Sequence, residues 1–293
     1  SLVESTTPEI AVVVSAPGNQ ALNLGRIIAE AGRIGIYGGL IRHRGIVSAD
    51  SAVRDAGGRI FLKSTRQTVL DPESSISAGG IGNADGGKVV VWSDGSTFVD
   101  GAISARGGAQ GGIGGFVETS GAYLAVTKAP DVSASSGKGG IWLLDPWDIV
   151  IGASPVSQFL TVHALADPTI LLTSSGTNSP SSAPSLIPAS LINEALTLNP
   201  GSSVIVDTTG SGTQAGNITV SSPISTSGSS GQSLILKAHN DISVSQPISI
   251  GASDLVLQAN QANTGSTGKV WINSAVSAST VTASGKDIAF SSS

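Results

Sequence analysis

Residues 85–95 read DGGKVVVWSDG, and the fold can be inferred outward from this stretch. Three consecutive valines and a tryptophan favour a β-strand, because β-branched and aromatic side chains fit a pleated sheet. The glycines and aspartates on either side are typical turn residues. The stretch therefore predicts one short strand, bounded by turns, that starts directly after Gly87.

The same pattern, a glycine followed by a short apolar run, occurs five times in the first half of the chain. The repeat glycines are separated by 26, 29, 28 and 25 residues, and they are Gly32, Gly58, Gly87, Gly115 and Gly140. Most units carry a second and a third short strand. A unit of this size cannot bury its own apolar face, but stacked units pair strand on strand and share a continuous core. The repeat therefore predicts an all-β fold, a parallel solenoid of stacked units.

A second repeat block lies near the C-terminus. The stretch NITVSSPIS at 217–225 matches DISVSQPIS at 241–249, which begins 24 residues further on. Between the two blocks, residues 153–203 are rich in proline and serine and interrupt the pattern. We expect this segment to be an irregular insertion that packs on the flank of the solenoid, or a joint between two solenoid blocks.

One short helix is predicted inside this segment, at residues 189–198. Four apolar residues of the stretch share one helical face, and the sequence Asn199-Pro200-Gly201 ends it. The predicted organisation has three parts: a β block at 1–152, the insertion or joint with its helix at 153–203, and a second β block at 204–293.

Composition excludes several functional classes. Only 12% of the residues are charged, and the net charge is −5. Without a basic stripe, we expect no nucleic-acid partner. The chain has no cysteine, so neither disulfides nor thiolate metal sites can form. No apolar run reaches the roughly 18 residues of a membrane helix. Because the chain begins at Ser1, we interpret it as a processed product or an excerpt of a longer protein.

The sharpest short motif is Asp145-Pro146-Trp147-Asp148. It has two interpretations. A carboxylate pair beside aromatic residues could contact a glycan, and Trp142, Trp147 and Tyr123 are the candidate contact residues. Alternatively, the motif is a turn that closes the first β block, with Trp142 and Trp147 covering its end, and this interpretation is favoured.

Other polar residues offer little sign of catalysis. Asp85, Asp94 and Asp100 could form the carboxylate cluster of a glycan-cleaving enzyme, but Asp85 and Asp94 stand in glycine-rich turns, where aspartate is common. The tripeptide Arg42-His43-Arg44 could contact anionic glycans, although such clusters are usually solvated. We therefore expect no catalytic residue, no cofactor and no metal site.

Four motifs, taken in order, resemble one family. The stretches at 85–95, 101–108, 114–121 and 139–146 are similar to filamentous-haemagglutinin-type exoproteins of two-partner secretion. The resemblance implies a right-handed parallel β-helix and export through an outer-membrane β-barrel transporter to the outside or the cell surface of a Gram-negative bacterium. The Asn-Pro-Asn-Gly type of motif of the family's secretion domain is missing, so the chain resembles the region downstream of that domain. The residues that engage the transporter are then expected outside this chain.

The expected function is structural and adhesive rather than enzymatic. We expect a stalk that mediates attachment to host cells, sister cells or biofilm matrix, with a glycan or protein receptor as partner. Self-association, end to end or side by side, is a further expected contact. The alternatives are a carbohydrate-binding module of the biofilm matrix, the stick of a contact-dependent toxin carrier and, least favoured, a glycan-cleaving enzyme.

Overall fold

The computed structural model describes residues 11–15, 19–53, 57–153, 183–208, 214–260 and 268–291. The strands of the first half are β1 (Ala11–Ser15), β2 (Gln20–Asn23), β3 (Arg26–Ile28), β4 (Arg33–His43), β5 (Ile46–Ser48), β6 (Arg59–Leu70), β7 (Ser75–Ser77), β8 (Lys88–Val99), β9 (Ala102–Ser104), β10 (Phe116–Val126), β11 (Ile141–Asp145) and β12 (Ile149–Gly152).

The second half contains one described helix and the remaining described strands. The elements are β13 (Ser185–Pro188), α1 (Ala189–Leu198), β14 (Ser203–Asp207), β15 (Ile218–Val220), β16 (Ile224–Ser225), β17 (Ser233–Lys237), β18 (Ile242–Val244), β19 (Ile248–Ser249), β20 (Asp254–Gln258), β21 (Lys269–Ile272), β22 (Val276–Ser277), β23 (Val281–Ser284) and β24 (Asp287–Phe290).

The strands form four sheets. The main sheet has eleven strands in the order β1-β4-β6-β8-β10-β11-β14-β17-β20-β23, with β2 paired to β4. The other three sheets have six, four and three strands, in the orders β13-β12-β15-β18-β21-β24, β3-β5-β7-β9 and β16-β19-β22. Every strand pairing in the described residues is parallel, for example β6 with β8 and β12 with β15. The prediction of an all-β parallel fold is confirmed.

The register of the main sheet follows the repeat glycines. Ile34 pairs with Ile60, Ile60 with Val89, Val89 with Val117 and Val117 with Trp142. Each of these residues stands two positions after its repeat glycine, and each is buried. Because successive side chains of a strand point to opposite sides, the residues two and four positions after the glycine form the core.

The repeat glycines allow neighbouring strands to begin in close contact. The amide of Lys88 donates to the carbonyl oxygen of Gly58, and the amide of Phe116 donates to that of Gly87, at 2.9 Å in both cases. A Cβ atom on Gly87 would overlap the carbonyl oxygen of Gly58. The absence of a side chain, rather than a left-handed backbone, is what this position requires.

The helix α1 has the predicted bounds, and it lies between two of the smaller sheets. Its buried face consists of Ala189, Leu191, Ile192, Ala195 and Leu196. At its C-terminal end, the Asn199 side chain accepts from the amide of Val132 at 2.9 Å, just beyond the four-stranded sheet. Closer to its middle, the Asn193 side chain accepts from the amide of Ser225 in the three-stranded sheet, also at 2.9 Å. The helix thus lies between the last strand of the four-stranded sheet and the first strand of the three-stranded sheet, where neither sheet contributes a strand.

The main sheet continues across the segment that the sequence marks as an interruption. Trp142 of β11 pairs with Val204 of β14, so strands from both predicted β blocks are direct neighbours. Residues 154–182 of the predicted insertion lie outside the described residues. Asp148 makes the corner after β11, where its Oδ1 atom accepts from the amides of Gly216 and Asn217 at 2.6 and 2.7 Å. The turn at 145–148 therefore does not close the sheet, because its last residue binds the next unit.

A candidate contact face on the main sheet

The outward side of the main sheet combines half-buried aromatic rings with charged side chains. Residues one, three and five positions after each repeat glycine point outward, as in β6, where Arg59 and Lys63 are exposed and Phe61 is half-buried. We call the outward side chains at residues 33–37, 59–63, 88–92, 116–120, 141–145 and 203–207 the outer face. These segments belong to six consecutive strands of the sheet.

Cations and aromatic rings of the outer face form pairs between neighbouring strands. The distance from the cationic group to the ring centroid is 4.9 Å for Arg33 and Phe61, 5.6 Å for Lys63 and Trp92, and 4.8 Å for Lys88 and Phe116. Each pair contributes about 0.5–1 kcal/mol when exposed to solvent. The three rings are half-buried, so part of each remains accessible.

Charge on the outer face is divided between its two halves. The strands β4, β6 and β8 contribute only cations to it: Arg33, Arg59, Lys63 and Lys88. The strands β10, β11 and β14 contribute only carboxylates: Glu118, Asp145 and Asp207. Within the basic half, Arg33 stands directly opposite Arg59, and Arg59 stands opposite Lys88. Such like-charge neighbours on adjacent strands destabilise a sheet.

Asp145 has the most strongly perturbed carboxyl group of the acidic half. Burial raises its pKa, and the charges of Asp207 and Glu118 add to that effect, so the pKa is about 7. Its Oδ1 atom is buried and has no hydrogen-bond partner in the described structure. Burial also raises the pKa of Asp207, although Lys237 opposes that shift. Lys237 stands directly opposite Asp207 on the next strand, so the acidic half is compensated in part within this chain.

Two of the three predicted glycan contacts lie in the interior. Trp142 is only 1% exposed, and its Nε1 atom donates to Thr119 Oγ1 at 3.1 Å. Tyr123 is fully buried, with its ring centroid 6.0 Å from that of Phe98. Neither side chain is accessible for a surface contact, which corrects the expectation for both. Trp147, at the corner after β11, is partly exposed and stays a prediction.

The motif-based prediction missed the outward aromatic residues, although their spacing from the repeat glycines indicates their position. Trp142 stands two positions after Gly140, which is an inward position. Phe61, Trp92 and Phe116 stand three, five and one positions after their repeat glycines, and these are outward positions. Counting from the glycine, rather than searching for acidic motifs, would have separated the two groups.

The tripeptide at 42–44 is not an anion-binding patch. Arg42 is buried and makes two hydrogen bonds to Asp71, at 2.9 and 3.2 Å. Arg44 also contacts Asp71, with its Nε atom 3.0 Å from Oδ2. His43 is fully buried, and burial lowers its pKa. The tripeptide is therefore part of an internal ion pair that joins two units.

Two of the three carboxylates considered for catalysis, Asp85 and Asp100, lie outside the strands. Asp85 accepts from the amide of Ile113 at 2.8 Å, and Asp100 accepts from the hydroxyl of Thr127. Asp94 is exposed within β8, which continues to Val99, so the expectation that Asp94 stands in a glycine-rich turn is wrong. Within the parts of the chain that the structure describes, no three His, Asp or Glu side chains are placed to hold a metal ion.

A search against models of protein families finds no match to this chain. A search of curated proteins also finds none. No helix among the described residues is both long and apolar enough to span a membrane.

Proposed function

We propose that this chain is a structural and adhesive segment of a secreted surface protein of a Gram-negative bacterium, folded as a right-handed parallel β-helix. In this proposal it corresponds to the region downstream of the secretion domain in filamentous-haemagglutinin-type exoproteins. Export then runs through an outer-membrane β-barrel partner that engages another region of the parent protein. The observation that carries the adhesive part is the row of cation–aromatic pairs on the outer face.

The order of the strands supports the β-helix. The chain passes through β17 in the main sheet, β18 in the six-stranded sheet and β19 in the three-stranded sheet, and then returns to the main sheet with β20. Each strand pairs in parallel with its counterpart in the next unit. Parallel crossover connections are right-handed in the great majority of proteins.

This arrangement supports a mechanical role. Hydrogen bonds between stacked strands run along the axis of the stack, and the core is continuous from Ile34 to Ile272. Stability then adds up over neighbouring units, as in other solenoids. Such a rod holds its outer face at a fixed orientation, so that the cation–aromatic pairs can meet a ligand together.

Binding, rather than bond cleavage, is the chemistry that these pairs supply. Half-buried rings offer apolar area at a low cost in side-chain entropy, and Arg or Lys heads attract the acidic groups of a glycan or a protein. We therefore assign no catalytic residue.

The test is a glycan array and a bacterial-cell attachment assay, both scored also for glycan cleavage, with the variant Trp92→Ala. The matched control is Trp271→Ala, because Trp271 is 40% exposed and also lies under a cation, with Lys269 Nζ 5.2 Å from its centroid, but on the six-stranded sheet. We expect attachment that Trp92→Ala weakens and Trp271→Ala leaves unchanged. Cleavage of any glycan would overturn the non-enzymatic assignment, and the absence of any attachment would overturn the adhesive one.

A further inference from the structure

Among the described residues, none donates a hydrogen bond to the buried Oδ1 atom of Asp145 on the outer face. Ser120 stands directly opposite Asp145 on β10, but the Ser120 hydroxyl donates to Glu118 Oε1 at 3.1 Å. On the other side, the neighbour on β14 is Asp207, a second carboxylate. Lys237 stands opposite Asp207, one strand further away. Asp145 is therefore poorly satisfied when it is ionised, and a proton relieves it.

Asp145 belongs to the same column of the outer face as the cation–aromatic pair of Lys63 and Trp92. Lys63 stands opposite Trp92, with its Nζ atom 5.6 Å from the ring centroid. Trp92 stands opposite Ser120, and Ser120 stands opposite Asp145. Two strand spacings, about 10 Å, separate Trp92 from Asp145, and both residues are half-buried. A ligand that lies along the stack on the Trp92 ring thus extends onto Asp145.

We propose that this column binds a glycan that carries carboxylate groups, and that Asp145 is its pH sensor: the glycan is held when Asp145 is protonated and released when Asp145 is ionised. The inference rests on the proposed function, because it names the ligand and the regulation of the same outer face. The column offers a group for each part of a chain of uronate units. The Trp92 ring packs on the apolar side of a sugar, the Lys63 ammonium attracts its carboxylate, and Asp145 meets an oxygen of a following unit.

Ionisation of Asp145 opposes this ligand in two ways. Together with Glu118 and Asp207, the ionised group repels the negative charge of the polymer. It can also accept a hydrogen bond but not donate one. In the protonated form, its hydroxyl group donates to a sugar oxygen or a carboxylate of the glycan, and Oδ1 gives up no hydrogen bond within the chain. Binding at pH 8 therefore takes up about one proton per chain, which stays on Asp145.

The groups around Asp145 set the pH at which the sensor works. Burial, together with the charges of Asp207 and Glu118, raises its pKa to about 7. Lys237 lowers the pKa of Asp207, and Asp148 at the following corner accepts from two backbone amides. At pH 5.5 Asp145 is almost fully protonated, whereas at pH 8 about one chain in ten carries the proton. Because that fraction is the one that binds, the apparent Kd is about tenfold higher at pH 8.

The experiment is calorimetric titration of the full chain with polygalacturonate over a series of pH values from 5.5 to 8, at one ionic strength. Ordinary carboxyl groups titrate near about pH 4, so the polymer keeps its charge over this interval. Asp145→Asn retains a hydrogen-bond donor and removes the titration, and Asp207→Asn removes one of the charges that act on Asp145. Asp287→Asn is the matched control, because this carboxylate is exposed on the six-stranded sheet. Titration in two buffers of different ionisation enthalpy counts the protons taken up.

We expect the wild-type Kd to be about tenfold lower at pH 5.5 than at pH 8, with uptake of about one proton at pH 8. Asp145→Asn should bind at pH 8 about as tightly as wild type does at pH 5.5, and its Kd should no longer change with pH. Asp207→Asn should keep the pH dependence but move its midpoint below that of wild type. Asp287→Asn should behave as wild type does.

The inference and the proposed function can fail separately. A wild-type chain that binds polygalacturonate with the same Kd at both ends of the pH series would overturn the sensor and leave the adhesive role in place. An Asp145→Asn variant that keeps the full pH dependence would do the same. Attachment to cells or to neutral glycans, without binding of polygalacturonate at any pH, would overturn the carboxylate-bearing glycan as ligand. The adhesive role itself fails if no attachment of any kind is found.

Discussion

Replacing Asp145 by asparagine removes a carboxyl group whose ionisation opposes folding. Its pKa in the folded chain is about 7, because the group is buried and lies near Asp207 and Glu118. In the unfolded chain the ordinary value of about 3.9 applies. Folding therefore favours the protonated form, and the stabilisation is fully present below about pH 4. It is lost as the pH rises through 7.

The size of the effect follows from these two values. Each pKa unit corresponds to about 1.4 kcal/mol. Between pH 8, where the carboxyl group is ionised in both states, and pH 5, where it is protonated only in the folded state, this group adds about 2.7 kcal/mol to the free energy of unfolding. Asparagine has no such dependence, so the stability difference between wild type and Asp145→Asn should change by that amount over this interval.

The assay is urea unfolding of both proteins at pH 5 and pH 8, at a concentration low enough to keep the chain monomeric. Fluorescence and circular dichroism should report coincident transitions. Groups that titrate in both proteins, such as the buried His43, cancel in the comparison. Asp94→Asn, which changes an exposed carboxylate, is the control. A wild-type-to-variant difference that is the same at both pH values within about 0.5 kcal/mol would refute the reasoning.

Three further substitutions test the architecture by denaturant unfolding. Trp142→Ala should lower the free energy of unfolding by about 3–5 kcal/mol, because it empties a core position. Attachment in the glycan and cell assays should stay intact under conditions well below the variant's unfolding midpoint. Gly87→Ala should lower the free energy of unfolding by about 1–3 kcal/mol, because the added carbon meets the backbone of the preceding unit. The control Gly25→Ala, with nothing within 4 Å of the added carbon, should lower it far less. Equal losses would contradict the role of close approach. Asp71→Asn should cost about 3–5 kcal/mol, because it leaves the buried Arg42 charge without its carboxylate, and a cost below about 1 kcal/mol would show that water reaches this pair.

The helix α1 shows how a parallel repeat fold tolerates an irregular unit without losing its main sheet. The main sheet stays continuous as long as β14 pairs with β11 in register, whatever conformation the intervening chain adopts. Meanwhile Asn193 and Asn199 bond with their side chains to backbone groups of the neighbouring units, which otherwise pair with a strand. The free-energy cost of the interruption is thereby confined to one side of the stack.

Features that depend on local periodicity can be predicted from the amino-acid sequence. The repeat glycines located the strand starts. Counting inward and outward positions from each glycine also locates the buried residues, since a strand reverses its side at every residue, and the prediction of Trp142 as a glycan contact left out this step. The bounds of the helix followed from the spacing of its four apolar residues and from the stop at Asn199-Pro200-Gly201. The parallel pairing followed from the inability of a single unit to bury its own apolar face.

The placement of distant units against each other depends on the tertiary fold. No spacing rule connects β11 with β14, because the intervening segment has no repeat, and yet this pairing brings Asp207 next to Asp145. The pKa of Asp145 and the division of charge on the outer face both depend on that neighbourhood. Electrostatic interactions act through space between units, whereas the sequence pattern reports only the conformation of each unit.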